Sequence, residues 1–177
     1  MPAIVPSEVT VQRLAALKRC RTLSEFVPLR AAELPQKTAL CQYDRVARDW
    51  AHVTYGELLE RITAWRRALT ALSLKRGARV AILLNNSVNA VLADQAVMAQ
   101  ALIPVPLHSI DTPGSLSFIL EDSGAECLIT SKLERWQEIV SAGGVLPALK
   151  TVVLTDEATP AGQPARGPRI LGVDDWL

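Results

Sequence analysis

An excess of charge of one sign is missing from this sequence. Nineteen Lys and Arg stand against eighteen Asp and Glu, a net charge of +1. That balance supplies no field to hold nucleic acid or anionic lipid, and the arginines form no stripe with interleaved aromatics. No nucleic-acid partner is expected. No run approaches ~18 consecutive apolar residues, so no transmembrane segment is expected either. Cysteine is scarce: Cys20, Cys41 and Cys127 are odd in number and far apart. They show no CxxC and no Cys/His spacing of a metal site, which argues against zinc. Spread free thiols suit a reducing compartment, so a cytoplasmic location is expected. The opening Met1-Pro2-Ala3-Ile4-Val5-Pro6-Ser7-Glu8 has no basic stretch ahead of an apolar core and does not read as a signal peptide.

The common catalytic signatures are also lacking. There is no GxGxxG, no phosphate loop with a trailing Lys-Ser/Thr, and no Gly-x-Ser-x-Gly turn. Gly56, Gly77, Gly114, Gly124, Gly143 and Gly144 are each accounted for by turns or helix caps.

What is present is a regular alternation. Ser7 is placed to cap a helix through about Arg19, and Thr22 with Glu25 forms a capping-box pair ahead of a second helix ending before Pro35. Lys37–Asp44 and Trp50–Thr54 read as two short strands around a polar turn. Thr54 and Glu57 form another capping box, and the helix behind it runs to about Leu74, with Gly77 at its C-terminal cap. From Gly77 onward, strands alternate with helices. Arg79–Leu84, Ile103–Leu107, Glu126–Thr130 and Lys150–Thr155 read as strands, and Arg169–Val173 as a last one. Ser87 caps a helix to about Leu102. Thr112-Pro113 opens the next, which Gly124 closes. Ser131 and Glu134 read as a third capping box, with that helix stopping at Gly143-Gly144. Residues 156–168 read as a loop, and Asp174–Leu177 as the opening of a helix. Apolar strands alternating with helices predict an α/β fold, a parallel Rossmann-like sheet with helices on both faces. The chain divides into N-terminal helices at 1–36 and an α/β domain at 37–177.

Ligands of open parallel sheets sit beyond the strand C-terminal ends. Asn85, Asn86, His108, Ser109 and Asp111 fall on that edge, where they equally serve as turn and cap residues. No Ser, Cys or carboxylate is tied to His108 by a recognised spacing, and His52 lies in a predicted strand near the polar turn. Arg61, Arg66 and Arg67 read as the solvated face of a helix. Glu121 and Asp122 are adjacent, so on a helix they point about 100° apart and cannot share a proton. Trp65 and Cys127 read as core. The residues therefore nominate no catalytic, cofactor-binding or metal-binding group. The Ser87–Leu102 helix is apolar nearly all round, with Asp94 its one charge, and must be covered on more than one side. Two covers are equally open: burial wholly inside this domain, or an outside surface such as a second copy, which would make a weak homodimer.

Six phrases occur in order: Thr54-Tyr55-Gly56-Glu57-Leu58, Gly77-Ala78-Arg79-Val80-Ala81-Ile82-Leu83, Asn85-Asn86-Ser87, Ile103-Pro104-Val105-Pro106-Leu107, Thr112-Pro113-Gly114-Ser115-Leu116 and Ile119-Leu120-Glu121-Asp122-Ser123-Gly124-Ala125. Together they resemble the amino-terminal region of the adenylate-forming (AMP-binding) superfamily over residues 22–177. The likeness is greatest to fatty acyl-CoA synthetases, the long-chain-fatty-acid–CoA ligases. The resemblance implies the N-terminal subdomain of an acyl-CoA synthetase-like fold.

In the full-length parent the resemblance implies ATP, Mg²⁺ and coenzyme A. A carboxylic (fatty) acid attacks the α-phosphate of ATP, giving acyl-AMP, and a thiol then displaces AMP. The superfamily's phosphate-binding loop with its lysine would lie beyond Leu177, as would its magnesium carboxylate, ribose aspartate and catalytic lysine. The chain is therefore expected to be truncated before that loop, inactive alone, without cofactor, and partnered by the rest of its own chain. Against the superfamily's usual pattern, departures stand at Ala78, where an acidic residue is usual, near Asn89, where another is usual, and at Ala101, where glycine is usual. Two alternatives remain open. One is a non-catalytic binding or interaction module that kept the fold. The other is a fatty acyl-AMP ligase or adenylation domain with a different acceptor.

Overall fold

The computed structural model describes residues 15–163 and 166–177. The expected helix from Ser7 lies mostly outside the described residues. The chain forms two compact units, residues 1–60 and 61–177.

In the first unit a 3₁₀ turn, Leu23–Glu25, leads into α1, Phe26–Glu33. Glu25 accepts the Thr22 hydroxyl at 2.9 Å and the Arg21 amide at 3.0 Å. The carboxylate thus captures the amide one residue before the expected cap, and a 3₁₀ turn starts the helix. Strands β1, Thr38–Asp44, and β2, Asp49–Thr54, form an antiparallel hairpin. Asp44 Oδ1 accepts the amides of Val46 at 2.8 Å and Ala47 at 3.0 Å, which folds the turn. The Thr54/Glu57 capping box is reciprocal: the Thr54 amide donates to Glu57 at 2.8 Å, and the Glu57 amide to Thr54 Oγ1 at 3.3 Å. It opens α2, Tyr55–Ala71.

The second unit takes over within α2. The helix stops at Ala71, short of Leu74, and Ser73 occupies the left-handed region at φ +53°. Gly77 is therefore not the helix cap. Its φ of +81° turns the chain into the sheet, and its amide donates to the Ala101 carbonyl at 2.9 Å.

Five parallel strands follow in the order β4-β3-β5-β6-β7. They are β3, Arg79–Leu83; β4, Ile103–Pro106; β5, Cys127–Thr130; β6, Thr151–Leu154; and β7, Arg169–Gly172. The interposed helices are α3, Val88–Ala99; α4, Pro113–Ser123; α5, Leu133–Ser141; and the terminal turn α6, Val173–Trp176. The Ile103 amide donates to the Ala78 carbonyl, just before β3, and the Leu107 amide to Ile82 within it. Pro104 and Pro106 of edge strand β4 alternate with them, so their missing N–H groups fall on the outer side. At the other edge the Gln163 amide group pairs with both N–H and C=O of Ile170, at 2.9 and 2.8 Å, blunting β7.

Leu116 and Leu120 of α4 and Trp136 and Ile139 of α5 pack on the face carrying Ala81, Leu83, Leu128, Val152, Leu154 and Ile170. The opposite face buries Val80, Ile82, Cys127, Ile129, Val153 and Leu171. There α3 packs on β3 and β4, and α6 on β6 and β7. Trp65 meets Trp176 edge-on at 5.3 Å, so it is core, as read from the sequence. Leu92, Ala93, Ala96 and Val97 of α3 are buried, and every other residue of that helix is half-buried.

Candidate functional site at the sheet's switch point

Strand order reverses at β3 and β5. From β3 the chain moves through α3 to β4 on one side. From β5 it moves through α5 to β6 on the other. The loops diverging there leave a crevice at the C-terminal ends of the two strands, the place where open α/β sheets bind ligands.

A cleft of about 320 Å³ occupies that position. Leu83 and Asn85 come from the end of β3, Ser109 from the loop after β4, and Ser131, Lys132, Glu134, Arg135 and Glu138 from the start of α5. Arg135 is committed structurally. One guanidinium nitrogen donates to the carbonyls of Ser109 at 3.0 Å and Asp111 at 2.7 Å, and the other pairs with Glu138 at 2.6 Å. It clamps the loop after β4 to α5 and shapes the cleft wall. Lys132 carries the remaining positive charge.

The start of α5 corrects the sequence expectation. The helix begins at Leu133, with Lys132 at the cap position and no capping side chain of its own. Its first amide donates to Glu157 at 2.8 Å, from the loop after β6. Ser131 and Glu134 form no box, and a carboxylate 24 residues downstream does the work.

Of the residues placed at this edge by sequence, Asn85 and Ser109 line the cleft, and Asp111 contributes its carbonyl. His108 and Asn86 are exposed nearby. Arg61, Arg66 and Arg67 are exposed on α2, and Glu121 and Asp122 on α4. Cys127 is fully buried, and burial pushes its thiol up to about 12. Lys132 and Arg135 escaped the sequence reading, although basic residues directly after an apolar strand were the available signal. One juxtaposition was also missed: the hairpin places Cys41 opposite His52. Residues equally far from the turn face each other, so the register could have found the pair. Among the described residues no group of three or more His, Cys, Asp or Glu is placed to hold a metal ion. No described helix is long and apolar enough to cross a membrane.

The sequence profile described as "AMP-binding enzyme" matches residues 28–169. The chain belongs to the AMP-binding enzyme family. Within this family, the long-chain-fatty-acid–CoA ligase FadD15 of Mycobacterium bovis is 26% identical over 104 residues, 59% of this chain and 17% of its own length. The anthranilate CoA ligase AuaEII, solved with anthranoyl-AMP, superposes with a TM-score of 0.73 at 24% identity, over 86% of this chain and 27% of that one. The N-terminal domain of FACL13 from Mycobacterium tuberculosis gives 0.68 at 19%, over 89% and 34%. These two structures share the fold. The chain spans between 2% and 17% of the length of the curated relatives it matches.

Proposed function

We propose that this AMP-binding family chain is the amino-terminal part of an ATP-dependent fatty acid–CoA ligase, and that residues 1–177 are catalytically silent alone. The carrying observation is the family match over 28–169, set on a five-stranded parallel sheet. Acid and ATP give acyl-AMP and pyrophosphate in the parent, and a thiol then releases AMP. Likeness to a long-chain-fatty-acid–CoA ligase supports the fatty acid as substrate and coenzyme A as acceptor. In this reading the rest of the protein supplies the groups for ATP and Mg²⁺. A triphosphate needs a cradle of backbone N–H groups and a cation. The switch-point cleft offers Lys132, Ser131 and Asn85, beside the carboxylates Glu134 and Glu138. Two carboxylates among these five groups repel phosphate, and the set does not fit a triphosphate. The spread free thiols support a cytoplasmic location under the same reading.

The test is ATP–pyrophosphate exchange on the protein of the complete reading frame and on residues 1–177, with fatty acids of several chain lengths. Exchange by the complete protein, followed by CoA-thiol consumption, is expected. Residues 1–177 should give neither exchange nor calorimetric MgATP binding. A low-micromolar Kd for MgATP on residues 1–177 would overturn their silence. A complete protein inert toward every acid would favour an interaction module. Exchange without CoA consumption would favour a different acceptor. Self-association through α3 rests on half-buried Val91 and Met98. Sedimentation at ~10–100 µM reads it, since a micromolar contact is populated there.

A further inference from the structure

The hairpin of the first unit carries chemistry that acyl activation does not use. Cys41 and His52 are directly opposed across β1 and β2, with Sγ 3.2 Å from Nδ1. Both are exposed. Two residues further along the same pleat, Tyr43 and Trp50 meet edge-on at 5.6 Å, 47% and 57% exposed. A nucleophile, a base within hydrogen-bond reach and an aromatic surface thus share one solvent-facing side.

We propose that the Cys41–His52 pair is a thiol-modification site that takes low-molecular-weight disulfides. The tautomer of His52 protonated on Nε2 is the reactive one, since it leaves the Nδ1 lone pair facing the thiol. As Cys41 Sγ attacks one sulfur of R–S–S–R, its proton passes to Nδ1. A new S–S bond joins Cys41 to one R–S group. The old S–S bond breaks with its electron pair on the departing thiolate, which takes that proton from the imidazolium. Cys41 is oxidised, the leaving half is reduced to R–SH, and the disulfide is the oxidant.

The other two thiols are the internal contrast. Cys127 is fully buried, and its thiolate is suppressed by desolvation. Cys20 lies against the Ala16 carbonyl, which cannot take a proton from it.

The experiment follows each cysteine by peptide mass spectrometry. The intact 177-residue chain is exposed to oxidised glutathione and to 5,5′-dithiobis(2-nitrobenzoate). Cys41 should be the first site labelled and Cys127 should stay unlabelled without denaturant. His52→Gln should slow Cys41 about tenfold, below the 10²–10⁴ of enclosed general-base sites because this pair is open to water. Cys20 in the same molecules should keep its rate. In His52→Ala, added free imidazole should restore part of the loss, which a purely structural role for His52 would not allow. Cys41 reacting no faster than Cys20 would overturn the proposal. So would an unchanged Cys41 rate in His52→Gln, or no recovery with imidazole.

Discussion

The carboxylate of Glu157 accepts the backbone amide of Leu133 at 2.8 Å, from a loop that follows the next strand. The contact caps α5, the helix that carries Lys132 and Arg135 at the cleft. A helix without a local cap depends on such a partner, and losing one costs about 1 kcal/mol. Glu157→Ala should lower stability by about that amount and speed amide exchange in the first turn of α5. Glu157→Gln keeps an acceptor oxygen and should lose less. Equal losses in the two variants, read from urea midpoints, would show that the side-chain oxygen is not the cap.

Gly172 ends β7 against the loop of residues 157–159. A Cβ there would stand 2.6 Å from the Thr159 nitrogen and 2.7 Å from the Glu157 carbonyl. Both are backbone atoms, so the loop would have to lift. That loop also presents the Glu157 cap. Gly172→Ala should cost about 3 kcal/mol. Gly114, in the first turn of α4, meets nothing within 4 Å. Gly114→Ala should stabilise by about 0.5 kcal/mol through the unfolded chain. Thermal denaturation of the two variants side by side checks the contrast. A neutral Gly172→Ala would mean that the loop yields freely.

Much of the second unit was legible because its signals are local. Thr112, Pro113 and Gly124 fix the start, first turn and end of α4 within the helix itself, and Thr112 accepts the Ser115 amide at 3.2 Å. The strands read as continuous apolar segments because both of their faces are covered. The misses are those in which a distant residue supplies the partner. The Ser131/Glu134 box failed because Glu157 reaches the helix first. Gly77 was misassigned because its partner is Ala101, across a whole strand and helix. The edge for the site followed from topology, and Asn85 and Ser109 lie on it. The Arg135 clamp could not be read, because it joins two loops whose approach is set by the sheet. Cys41 and His52 required the hairpin register.

Asp44 holds the hairpin turn electrostatically. The Ala47 and Val46 amides donate to its carboxylate and hold it below its ordinary value of 3.8. A depressed value in the folded state means the contribution is present above the unfolded value and is lost as pH falls through the folded one. Below about pH 4 the turn should loosen, with Val46 and Ala47 amides exchanging faster, while the parallel sheet stays protected. Asp44→Asn should remove this pH dependence. Nuclear magnetic resonance titration reads it directly, and a midpoint at or above 3.8 would contradict the hydrogen-bond account.

Ala101 holds a left-handed backbone conformation without being glycine, and that has a cost. It follows the Gln100 cap of α3 at φ +55°, in the left-handed region. There it ends the helix, its amide donating to Met98 at 3.0 Å, while its carbonyl accepts from Gly77 at 2.9 Å. A residue with a Cβ gives up about 1–2 kcal/mol in this conformation relative to glycine. Glycine costs about 0.4–1 kcal/mol through greater freedom of the unfolded chain. Ala101→Gly should therefore stabilise by about 0.5 kcal/mol, a rise in Tm of about 1–2 °C for a chain of this length. Ala101→Val should fall well below the parent, since branching at Cβ worsens the left-handed conformation. Differential scanning calorimetry of the three proteins orders them. An Ala101→Gly variant less stable than the parent would show that the Ala101 methyl contributes more by packing than the backbone loses by strain.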